Sequence, residues 1–136
     1  SIILMRKDWD KLPQEIQENG FDFHWDNQKV WSLDIPTEEM DVSELEWMLE
    51  LPFWWRDREW NTVAPKEVMS NLDSHPEHRD RIVAADSSFP LDIMQNHNGK
   101  WLILDGLHRL VQVVLAGGKT VSVRKISREM IPRIEP

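Results

Sequence analysis

The stretch that decides the fold is Trp101 to Gly118, WLILDGLHRLVQVVLAGG. Its first four residues are an apolar run that ends at Asp105-Gly106. Apolar residues then recur at Leu107, Leu110, Val111, Val114 and Leu115, the i, i+3, i+4, i+7, i+8 stripe of an amphipathic helix. Gly117-Gly118 supplies a residue that can take the left-handed conformation closing a helix. The expectation is a strand, a tight turn, a helix and a stop.

The polar residues gather at that turn. A strand running straight into a helix leaves the first helical N–H groups without intrahelical partners, so the turn is suited to an anion. Asp105, Gly106, Leu107, His108 and Arg109 form it. With the apolar stripe facing the core, His108 falls at its edge and Arg109 nearly opposite its centre. Two readings stand side by side. In one, Asp105, His108 and Arg109 handle a ligand; in the other, Asp105 caps the helix, His108 is a half-buried spacer and Arg109 is solvated.

Working outward, Phe89 to Met94 reads as a strand, Asn96 to Gly99 as a turn, and the alternation over Val121 to Ile126 as a last strand. Lys119, Arg124, Lys125, Arg128 and Arg133 make that end locally basic, in the manner of a solvated edge strand and tail. Upstream, Pro13 and Gly20 bracket a short helix with Leu12 and Ile16 as its buried pair. Phe21 to Trp25 and Trp31 to Ile35 alternate around the turn residues Asp26-Asn27-Gln28, predicting a β-hairpin. Ser43 and Glu46 have capping-box spacing ahead of Leu45, Met48 and Leu49, predicting a helix from Ser43 to about Leu51-Pro52 with Glu44 as its first residue.

Phe53 to Trp60 is the densest aromatic stretch. Trp54, Trp55 and Trp60 interleave with Arg56, a pattern able to hold a base or a partner protein's side chain, or to pin a loop to the core. Pro65 and Pro76 suit helix first turns, with Val68/Met69 and Ile82/Val83 as buried pairs. His75 and His78 have no third ligand nearby and make a weak metal pair.

The 136 residues contain no cysteine, which removes a disulfide framework, a thiol nucleophile and any thiolate zinc site. One domain over residues 1–136 is expected. No apolar run approaches membrane-helix length and the N-terminus lacks a signal-peptide pattern, so a cytoplasmic protein is the expectation. The formal charge of −8 is concentrated in residues 1–60, which hold 6 Lys/Arg against 15 Asp/Glu. That acidic half disfavours nucleic acid, whose binding draws on phosphate neutralisation, and leaves room for a phosphorylated small molecule at one local site.

The strand at 89–94, the Asp105-Gly106-Leu107-His108-Arg109 turn, the helix and the Gly118-Lys119-Thr120-Val121-Ser122-Val123 strand together resemble the core of the ParB/sulfiredoxin superfamily. Leu33-Asp34-Ile35-Pro36 resembles that family's opening I-P segment. The resemblance covers about residues 31–51 and 89–126. It implies an α/β (α+β) fold with a small mixed sheet and flanking helices, to which the 21–35 hairpin would be an added edge.

The branches of that superfamily differ in activity. Sulfiredoxins need a Cys where this chain has Leu107, which excludes their chemistry. The partitioning proteins bind CTP, and DNA through a following helix-turn-helix domain that residues 1–136 do not supply. The free serine kinases are more similar. They share the D-G-x-H-R turn and carry a catalytic Glu nine residues after the Ile of the I-P pair, a position matched here by Glu44.

That resemblance implies nucleotide-dependent phosphotransfer with ATP, ADP or CTP and magnesium. Glu44, Asp105 and His108 would be catalytic, residues Asp105 to Arg109 would hold the phosphates, and Asp105 would be a magnesium ligand. The alternatives are a non-catalytic accessory module with Trp54, Trp55, Arg56 and Trp60 as a partner surface, and a ParB-like nuclease.

Overall fold

The computed structural model describes residues 6–136. Among them the helices are α1 (Gln14–Asn19), α2 (Asn27–Trp31), α3 (Pro65–Ser70), α4 (Pro76–Ala84), α5 (Leu107–Leu115) and α6 (Ile131–Ile134). The strands are β1 (Thr37–Asp41), β2 (Trp54–Arg56), β3 (Glu59–Val63), β4 (Leu91–Gln95), β5 (Trp101–Asp105) and β6 (Thr120–Lys125). A four-stranded sheet runs in the order β1-β6-β4-β5, and β2 and β3 form a separate hairpin. The chain is thus a mixed α/β protein. No helix of the described residues is long and apolar enough to cross a membrane.

The sheet is mixed because α5 carries the chain over β4. β4 and β5 are antiparallel, β6 returns parallel to β4, and β1 pairs antiparallel with the outer side of β6. Central β4 is covered on both faces, its first four residues all buried, while β5 alternates. Leu91, Ile93, Met94, Leu110, Val123, Ile131 and Ile134 fill the middle of the core.

The helix read from periodicity ends as expected. Gly117 takes a φ of +78°. Gly117 N–H donates to Val114 O at 3.0 Å and Gly118 N–H to Val113 O at 2.9 Å, a Schellman closure that satisfies the last carbonyls. Pro65 and Pro76 occupy helix first turns.

Several expectations are corrected. Residues 21–35 form no hairpin. Phe21 and Phe23 do alternate into the core, but Asp26 begins α2, its carboxylate accepting from Gln28 N–H at 2.9 Å. An Asx residue that can make a turn can equally cap a helix, and here Val30 and Leu33, one turn apart, bury together. The sheet therefore gains no N-terminal hairpin, and the added hairpin is Trp54–Val63.

Residues 42–50 are not an α-helix from Ser43 either. They make two 3-10 turns, Val42–Glu44 and Glu46–Glu50, with no side-chain cap from Ser43. Val42, Leu45 and Met48 are buried at a spacing of three, the period of that tighter helix.

Val83 is 76% exposed, so Ile82 buries without it. β6 is an inner strand, flanked on both sides, because β1 covers its outer edge. Arg124 is accordingly not solvated. It lies 3.1 Å from Asp92 in an ion pair with side chains 12% and 4% exposed.

Candidate functional site

β5 and α5 place the turn in the wall of a cleft, a cavity of about 1010 Å³. Gly106 is the N-cap of α5 at a φ of +115°, and no side chain caps the first turn. A side chain at Gly106 is disfavoured twice over. Its Cβ would lie 2.8 Å from Leu91 Cδ2 and 3.1 Å from Arg109 Nη2, in a backbone conformation that favours glycine. The N–H groups of Leu107 and His108 have no side-chain cap, and both residues line the cleft.

Asp105 does not cap the helix. Its Oδ2 accepts from Arg109 Nη2 at 3.0 Å and from Trp31 Nε1 at 2.9 Å. Arg109 is held by that bond and by Nη1 donating to Pro90 O at 2.8 Å, which leaves it half-buried rather than solvated. Behind them, Asp92 is the cross-strand partner of Asp105 and pairs with Arg124. Asp92 Oδ1 is ion-paired but accepts no hydrogen bond, and burial raises its carboxyl above the usual carboxylate range, against the pull of Arg124.

His108 is no simple spacer. His108 Nε2 lies 3.0 Å from His78 Nδ1, and His78 Nε2 lies 2.8 Å from Trp55 O. Trp54 stacks on both imidazoles, with centroids 4.4 Å from His78 and 4.3 Å from His108 and interplanar angles of 12° and 13°. Trp55 tilts over His78 at 4.1 Å, touches Trp60 at 4.7 Å, and has the Arg81 guanidinium 4.9 Å above its ring. Burial keeps both imidazoles neutral. It lowers the His78 pKa, and with His78 and Arg81 nearby it brings His108 down to about 4.

The sequence expectations divide accordingly. Asp105, Gly106, Leu107, His108 and Arg109 are brought together and line the cleft, as do Trp54, Trp55 and Trp60. Trp54 is 2% exposed, which removes it from any partner surface, whereas Trp60 is 65% exposed. Arg56 lies outside the cleft, 3.4 Å from Glu67. Glu44 is exposed on the turn after β1 and does not line the cleft, so the structure does not bring it to the Asp105 turn. β1 and β5 are opposite edges of the sheet, with β6 and β4 between them.

His78, read from the sequence only as half of a weak metal pair with His75, instead joins the candidate site by pairing with His108. The signal was its spacing to Ile82: with Pro76 opening α4, His78 and Ile82 share one face, and both are buried.

Magnesium requires several oxygen ligands. Asp105 Oδ2 is already engaged twice, and among the described residues no three His, Asp or Glu side chains converge to hold a metal ion. The described residues do not fit a protein-held metal.

The cleft can therefore offer backbone and guanidinium donors to an anion, aromatic faces to a planar group, and one neutral imidazole pair. Set against known protein families, curated proteins and solved structures, the chain shows no significant match to any of them.

Proposed function

We propose that the chain binds a nucleotide in this cleft and acts as a nucleotide-dependent phosphotransferase, in keeping with its resemblance to the ParB/sulfiredoxin superfamily. The observation that carries the reading is the joining, in one cavity of about 1010 Å³, of an uncapped helix start beside Arg109 with a wall of indole rings. Small-molecule sites commonly occupy about 300–1,000 Å³ and combine apolar walls with a few convergent polar groups. A phosphate at the α5 turn and a base against the Trp55 and Trp60 rings satisfy both halves of the cleft.

Charge within the cleft supports local rather than general anion binding. Arg6 pairs with Asp8 at 2.9 Å and Arg109 with Asp105 at 3.0 Å, so the attraction comes from remaining guanidinium N–H groups and from the helix start.

The test is a thermal-shift titration with the magnesium salts of ATP, ADP and CTP, read beside backbone amide shifts. A ligand selective for the folded state raises Tm by mass action. The expected result is a rise in Tm with movement of the Gly106, Leu107 and His108 amides, and Arg109→Ala, referred to its own Tm, should abolish the rise. No shift in either readout would remove the proposal.

A second reading is a non-catalytic nucleotide-binding module. The position of Glu44 outside the cleft favours it, because the carboxylate expected to act as base is not at hand.

A further inference from the structure

The histidine pair fixes its own protons. Trp55 O can only accept, so His78 Nε2, 2.8 Å away, carries a hydrogen. His78 is 3% exposed, and the groups facing it are Glu77, Arg81, His75 and the two indoles. It is neutral, and a neutral imidazole has one N–H, so its Nδ1 is a bare lone pair. His108 Nε2, 3.0 Å from that lone pair, is therefore the donor. His108 is neutral as well, facing His78, Arg81 and Glu77. Its Nδ1 is then the unprotonated nitrogen, no donor among the described residues is hydrogen-bonded to it, and the ring lines the cleft. Amid the N–H donors of the α5 turn, the chain presents one neutral nitrogen acceptor.

We propose that His108 Nδ1 is the proton acceptor of this cleft, taking the proton of a hydroxyl, from water or an alcohol substrate, that attacks the terminal phosphorus of a nucleoside triphosphate. His78 is the positioning residue that fixes the tautomer. The proposal rests on the phosphotransferase reading above. In the step, the O–H bond breaks and the proton goes to Nδ1. The oxygen's electron pair forms the new O–P bond, the bond from the terminal phosphorus to its bridging oxygen breaks, and the nucleoside diphosphate leaves with that electron pair. The imidazolium formed is disfavoured by burial and offset only by the Trp54 face stacked on it, so it returns its proton to water as product departs.

Two experiments test this. In a long-range proton–nitrogen correlation spectrum of the ¹⁵N-labelled protein at pH 7, both rings should show a protonated Nε2 and an unprotonated Nδ1. A protonated Nδ1 on His108, or cationic rings, overturns the proposal.

The second experiment measures phosphate release from magnesium ATP and magnesium CTP. His108→Gln retains an amide N–H in place of Nε2 and lacks Nδ1. It should lose about 100-fold or more in kcat while keeping the nucleotide-induced rise in Tm. His78→Asn keeps an acceptor oxygen in place of Nδ1 and should retain kcat within about tenfold, whereas His78→Leu should fall as far as His108→Gln with KM unchanged.

Wild-type turnover in His108→Gln or in His78→Leu overturns the proposal while leaving nucleotide binding standing. Absence of any Tm rise with either nucleotide removes the phosphotransferase reading and this proposal with it.

Discussion

Asp92 on β4 and Arg124 on β6 sit at the same register of a parallel strand pair, 3.1 Å apart and almost wholly out of water. The guanidinium also donates to Leu33 O at 2.6 Å, tying the segment after α2 to the middle of the sheet. Removing one partner of a buried pair strands the other charge, which typically costs about 3–5 kcal/mol. Arg124→Met should lose stability on that scale in urea denaturation. The double variant Asp92→Leu/Arg124→Met should recover part of the loss, since it leaves no buried charge unpaired.

Gly106 and Gly117 both have positive φ but meet different surroundings. Gly117 has open space where a Cβ would go, and Gly106 has Leu91 and Arg109 there. Gly117→Ala should cost about 1 kcal/mol, the backbone penalty alone. Gly106→Ala should cost about 2 kcal/mol or more and disturb Arg109, visible as a change in the nucleotide-induced Tm shift as well as in the urea midpoint.

The pH dependence of stability follows from the imidazoles. Both have folded pKa values below the ordinary 6.5, so below that pH the unfolded chain takes up protons that the folded chain refuses. Stability should therefore fall as pH drops from about 6.5 toward 4, with a limiting slope of about 1.4 kcal/mol per pH unit from His108 that levels off below about 4, and His78 adds to the fall in the same direction. Asp92 acts with the opposite sign. Burial raises its folded pKa above the ordinary carboxylate value, so its protonation favours the folded state, and Asp92→Asn should steepen the acid loss. Urea melts of the two proteins across pH 4–7 check both signs.

Glu44 and Trp54 should separate cleanly. Glu44→Gln, on an exposed turn outside the cleft, should change stability by less than about 0.5 kcal/mol and leave phosphate release unaltered. Trp54→Ala removes a ring that is 2% exposed and stacked on two imidazoles, and should cost about 3–5 kcal/mol by denaturation.

Legibility in the sequence followed the range of the interactions. Trp101 to Gly118 could be read because its period, its break at Gly106 and its closure at Gly117 are local facts. Asp26 could not be read uniquely, because capping and turning use the same side-chain chemistry and only the burial of Val30 and Leu33 decides between them. The site was half visible. Asp105 and Arg109 are one helical turn apart, whereas His78 and His108 are 30 residues apart and meet where α4 packs on α5, with Gln112 Nε2 donating to Ile82 O and Ala85 O and Trp54 stacked on both rings.

The order of the sheet also makes two of its strand pairs wait for the end of the chain. β1 has only β6 as a neighbour, and the carbonyl of Leu33 waits for a guanidinium 91 residues later in the chain. During synthesis β1 therefore emerges unpaired and stays so until Thr120 to Lys125 follow, and β4 lacks its parallel partner until the same strand is clear. Long-range closure of this kind is slow and leaves apolar strands open meanwhile. The acidic side chains of Glu38, Glu39 and Asp41 on β1, exposed in the finished fold, are the kind of edge-strand charge that discourages pairing with another copy of the same strand.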